Sequence, residues 1–117
     1  MKLKIGKIKE IARRIAALLE RSGHSSHSKL LYEIAKGNDE AKKFMSKVSS
    51  VDIWGGAGSV FDIVIDDQKS GVEADSNKQF LELLLRFAEC ICESDASDER
   101  VKSSLEILKH WRKSGVF

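Results

Sequence analysis

The sequence predicts a mainly α domain, four to five helices packed as a small bundle, with a Gly-rich loop and a short strand or β-hairpin inserted in the middle. Three observations predict it. Apolar residues recur at spacings of three and four through most of the chain. Proline, the strongest interior helix breaker, does not occur in the 117 residues. One central stretch departs from that rhythm: three glycines fall within four residues, and a β-branched, aromatic run follows them.

From Lys2 to Arg21 the apolar positions Ile8, Ile11, Ala12, Ile15, Leu18 and Leu19 form one face of a helix, with Lys9, Arg13 and Arg14 off it. Gly23 stands where a helix C-cap is expected. The segment His24-Ser25-Ser26-His27-Ser28 is a polar connector with several hydroxyls suited to an N-cap. Leu30, Leu31, Ile34 and Ala35 predict a second, shorter helix ending near Gly37. Asn38 or Asp39 can cap a third, with Ala41, Phe44, Met45 and Val48 on its face.

Residues 49–59 cannot continue a helix, because Gly55, Gly56 and Gly58 cost too much backbone entropy. Val60 to Ile65 reads as a short strand, Asp66 to Ser70 as a turn, and Gly71-Val72-Glu73 as a possible hairpin return. Ser76 and Gln79 form a capping box that opens the next helix. That helix runs to about Glu93 with Phe80, Leu84, Phe87, Ala88 and Ile91 on one face, and Leu81, Leu85 and Cys92 broaden the stripe. It is the expected centre of the core. Ser97 or Asp98 caps a last helix, where Val101, Leu105, Leu108 and Trp111 face inward with Ser104 and Ile107 beside them, and Gly115 ends it.

The length suits a single domain spanning 1–117, large enough for a self-sufficient core. The start, Met1-Lys2-Leu3-Lys4, has no continuous apolar run behind it, and no segment approaches the roughly 20 apolar residues of a membrane span. Cys90 and Cys92, two apart on a helix, diverge and do not bridge each other. These features predict a cytoplasmic protein with reduced thiols.

Charge is segregated along the chain. Residues 62–99 hold eleven acids against three bases, a net charge of −8, so the remainder carries +10 in a chain of net charge +2. The basic excess lies at the two ends, in Lys2 to Arg14 and Arg100 to Lys113. Such asymmetry bears on partners more than on fold.

The segment Trp54-Gly55-Gly56-x-Gly58-Ser59-x-x-Asp62-x-Val64-Ile65, with Asn77 and Phe80-Leu81 opening a helix, resembles a family of small bacterial proteins defined as a domain of unknown function. Members of that family combine leading helices, an aromatic-Gly-Gly-x-Gly-Ser segment with a downstream acid, and trailing helices. Before that acid, where the family often has Asn, this chain has Phe61. The likeness covers about the central third of the chain and implies a fold, since the family carries no assigned activity.

A phosphate cradle at Gly55 to Ser59 lacks a following Gly-Lys-Ser/Thr, and its strand comes after the glycines rather than before, so a tight turn is the simpler role. Asp62, Asp66 and Asp67 lack the spacing of a calcium loop, and His24 and His27 have no cysteine or acid at zinc spacing. No histidine pairs by local sequence with a serine or cysteine nucleophile. The expectation is therefore no metal, no cofactor and no catalytic residue.

The leading reading is a non-enzymatic protein–protein interaction module of immunity or antitoxin type, whose acidic surface meets a basic protein such as a toxin or effector. The expected contact residues are Trp54, Gly55, Gly56, Gly58 and Ser59 in the loop, and Asp62, Asp66, Asp67 and Glu73 in the hairpin. One alternative is nucleic-acid binding by Lys2, Lys4, Lys7, Lys9, Arg13 and Arg14 of the first helix, although no aromatic residue or recognition signature accompanies them. The other is a small ligand-binding domain at the glycine loop.

Overall fold

A computed structural model of the chain describes residues 5–65, 76–93 and 98–117. The elements run α1 (Ile5–Arg21), α2 (Ser25–Lys36), α3 (Ala41–Val48), the single turn α4 (Val51–Trp54), a 3-10 turn (Val60–Asp62), α5 (Ser76–Cys92) and α6 (Glu99–Lys113). Among the described residues there are thus five helices of eight residues or more and no strand.

The helix α1 buries Ile8, Ile11, Ala12, Ile15, Ala16, Leu18 and Leu19, the stripe that its periodicity predicts. Its end is a Schellman motif: Gly23 takes φ +85°, its N–H bonds Glu20 O, and the His24 N–H bonds Leu19 O at 2.8 Å. The chain then folds back, so that α2 packs antiparallel along α1. Three side-chain bonds mark the pairing: Ser28 Oγ donates to Ala16 O at 2.7 Å, Arg13 to Ala35 O at 3.3 Å, and Lys9 Nζ to Gly37 O at 2.9 Å. The last two place cations on the carbonyl end of α2, where orphan acceptors and the helix dipole both favour positive charge.

The helices α2 and α3 are separate, broken at Gly37 as the sequence predicts. The caps differ from expectation. The N-cap residues are His24 for α2 and Glu40 for α3, neither with a side-chain cap bond. Asp39 instead pairs with Lys47 at 2.6 Å and Lys43 at 3.7 Å. Arg100 reaches from the start of α6 to Ser49 O, at 3.4 Å, just beyond the end of α3.

At the centre lies α5, whose Phe80, Leu84, Phe87, Ala88 and Ile91 are fully buried. It packs on α1 along one side and on α6 along another. Asp98 caps α6, accepting the Arg100 N–H at 2.7 Å, and Gly115 closes it with the same bond pattern that ends α1. On α6, Val101, Ser104, Leu105 and Leu108 are buried, Trp111 is half-buried, and Ile107 is exposed rather than inward.

The expected strand from Val60 to Ile65 is not present. Its first half is the 3-10 turn, closed by Asp62 N–H to Ser59 O and Ile63 N–H to Val60 O. The second half is extended but lies in no ladder, and the Ile65 N–H goes to Asn77 Oδ1 at 2.9 Å. A β-branched run becomes a strand only where a neighbouring strand offers its backbone; here turns and an amide side chain take those bonds. The proposed hairpin return at Gly71-Val72-Glu73 lies outside the described residues.

Candidate functional site

The glycine segment sits between α4 and the 3-10 turn. Trp54, at its head, is 4% exposed and belongs to the core. Its indole Nε1–H donates to Val48 O at 2.7 Å, and its ring stacks on Phe87 with centroids 5.8 Å apart. Phe61 packs on the other side at 6.0 Å, and Trp111 stacks on Phe61 at 5.8 Å with the planes 19° apart. The four rings form a file from the centre of α5 to the surface beside α6.

Two glycines in the loop have distinct reasons. A Cβ on Gly55 would stand 2.5 Å from the Val51 carbonyl oxygen, because the loop doubles back on α4. Gly58 takes φ +88°, the left-handed region. Ser59 is buried and its hydroxyl donates to Gly55 O, which ties the two ends of the loop together. From α2, His27 bonds Gly58 O at 2.8 Å through Nε2. A carbonyl only accepts, so that nitrogen carries the proton.

The expected contact residues therefore divide. Trp54 and Ser59 face inward and hold the loop, and Gly55 is packed on Val51. Gly56, Gly58 and Asp62 are exposed, and the neighbouring Ala57 with them. Asp66, Asp67 and Glu73 lie outside the described residues. At the two ends of the loop the backbone amides are engaged locally: the Gly55 N–H is bonded to Val51 O and the Ser59 N–H to Gly56 O.

What the sequence reading did not assemble is a groove of about 280 Å³ between residues 61–64 and the ends of α5 and α6. Phe61 and Trp111 form one wall, Leu81 and Asn77 line it from α5, and Val64 and Val116 stand at its lips. Val64 is 75% exposed and Val116 58%. Ile63, Val64 and Ile65 form one continuous apolar run in the sequence, which does not mark Val64 as outward, and nothing local brings Trp111 to Phe61.

Two further depressions have mixed charge. One, of about 400 Å³ between α1 and α5, includes Lys7, Glu10, Arg14 and Glu89; the other, of about 550 Å³, lies on the outer face of α1 and α2. Cys90 and Cys92 form no disulfide; burial pushes the Cys92 thiol above its ordinary range, with Lys102 and Lys109 opposing and Glu106 reinforcing the shift. Among the described residues no group of three or more His, Cys, Asp or Glu is placed to hold a metal ion. No helix among them is long and apolar enough to cross a membrane.

The basic patch of α1 is largely engaged within the protein. Lys9 and Arg13 hold the carbonyl end of α2, and Arg14 pairs with Glu10 at 2.9 Å. Lys7 is exposed, while Lys2 and Lys4 lie outside the described residues.

Comparison of the chain with family models, with curated proteins and with solved structures gives no match in any of the three.

Proposed function

We propose that the chain is a non-enzymatic protein–protein interaction module, of immunity or antitoxin type, that binds a basic partner protein. One observation carries the reading: exposed Asp62 and exposed Val64 share an edge at the start of the segment whose net charge is −8. An apolar patch beside a carboxylate suits a partner of opposite charge, because complementary fields speed encounter and exclude wrong partners. The loop at 56–58 extends this edge, and Trp54 supports it from within. The bonds of Lys9 and Arg13 to the carbonyl end of α2, and of Arg14 to Glu10, favour this reading over nucleic-acid binding by α1.

The test is capture of partners by the tagged chain from its native lysate, with mass spectrometry, beside a variant carrying Asp62, Asp66 and Asp67 all changed to Lys. A stoichiometric basic protein that the variant loses is the expected result, with an association rate that falls as salt rises. Capture of the same partner by both forms would remove the acidic edge from the contact. Nucleic acid recovered in place of protein would overturn the reading.

A further inference from the structure

We infer that the groove walled by Phe61 and Trp111 is the seat of an arginine side chain of the basic partner. This rests on the interaction reading above and names the group that the site recognises. Two of the four large hydrophobic residues exposed among the described residues, Val64 and Val116, stand at the lips of this one groove. Apolar exposure concentrated at a concavity marks a contact site more strongly than the same residues scattered.

The chemistry of the walls selects the occupant. Phe61 and Trp111 lie nearly parallel and are half-buried, so ring area is offered to whatever enters. Among the described residues lining the groove Asp62 is the only charged one, and it is exposed. An aromatic wall with a carboxylate at the rim fits a guanidinium: the planar cation stacks on a ring, its methylene stem covers the valines, and its N–H fork reaches the acid. Lysine satisfies the charge but not the flat contact. His110, Arg112 and Lys113 flank Trp111 on α6, are exposed, and line no part of the groove.

The floor is held in place by bonds already made. Asn77 Oδ1 anchors the Ile65 N–H and so fixes the extended segment carrying Val64, and Ile63 and Leu81 fill the base. The groove is formed without the partner, which lowers the ordering cost of binding.

The experiment is a titration of the isotope-labelled chain with the blocked peptide acetyl-Leu-Arg-Leu-amide, read on the two tryptophan indole N–H signals and the Val64 methyls. The Trp111 indole and Val64 should move, while the Trp54 indole, bonded to Val48 O, stays still and reports an intact core. The same peptide with citrulline for arginine, and the D62N variant with the arginine peptide, should each bind about tenfold more weakly or less well still. No shift at millimolar peptide, or equal binding of the citrulline peptide, would overturn the proposal. A basic partner captured equally by the D62N chain, with the titration silent, would overturn the groove and leave the interaction reading standing. Arginine-dependent shifts with no basic partner in the lysate would uphold the groove and count against that reading.

Discussion

Of Gly55, Gly56 and Gly58, two answer different demands and the third answers none, and alanine substitution separates them. Gly55→Ala drives a methyl into the Val51 carbonyl and should cost about 1–3 kcal/mol as the loop is forced off α4. Gly58→Ala strains a left-handed backbone for about 1–2 kcal/mol. Gly56→Ala meets open space and should fall within about 0.5 kcal/mol of the parent. Urea titration of the three variants checks the order; equal losses would refute the assignment. The thiols make a second prediction at this scale. Cys90 is shielded by burial, and burial raises the Cys92 pKa, which keeps that thiol protonated near neutral pH. Alkylation by iodoacetamide should be roughly tenfold slower than for free cysteine, and rapid once urea unfolds the chain.

At the scale of the element, α1 and α6 carry local caps, whereas the carbonyl ends of α2 and α3 are met by charges from other helices. Lys9 and Arg13 serve α2, and Arg100 reaches the end of α3. Asp39 shows how such charges couple stability to pH. Its hydrogen bond to Lys47, helped by the charges of Lys47 and Lys43, holds its carboxyl below the ordinary value of 3.8. The folded pKa lies below the unfolded one, so the contribution is complete above about pH 4 and is lost as pH falls through the folded value. Asp39→Asn should lower the urea midpoint at pH 7, and the gap to the parent should close below pH 3.8. A gap constant with pH would sink the account. Sequence legibility follows the same division. The stripes of α1 and α5 and the stops at Gly23, Gly37 and Gly115 were readable, because period and terminator are local. The failure at Val60 to Ile65 was physical: its strand character depended on a partner that the fold does not supply among the described residues. The roles of Lys9 and Arg13 were equally hidden, since both read as solvated residues until α2 folds back on them.

For the molecule as a whole, the candidate site was legible by segment but not by orientation. The loop and the acid after it stood out, yet Trp54 and Ser59 turned out to be its inner supports. The missing half, Trp111 of α6 and Val116 just beyond its end, lies some fifty residues away, and the aromatic file places it beside Phe61. Charge shows the same limit: the sequence locates an acidic middle between basic ends, while the fold decides which charges are left for a partner. Three of the four basic residues described between Lys7 and Arg14 are engaged within the chain.

The antiparallel pairing of α1 with α2 has a consequence for the order of folding. Only three residues separate these helices, so they meet at a small entropic cost of loop closure, whereas docking of α5 on α1 must close a loop of more than fifty residues. The α1–α2 hairpin should therefore form in the rate-limiting transition state. Ile15→Val, at the heart of α1, should slow refolding in stopped-flow measurements, while Leu108→Ala, on α6, should chiefly speed unfolding. The reverse pattern would place the nucleus in the C-terminal half, and the aromatic file would then be an early feature of folding rather than a late one.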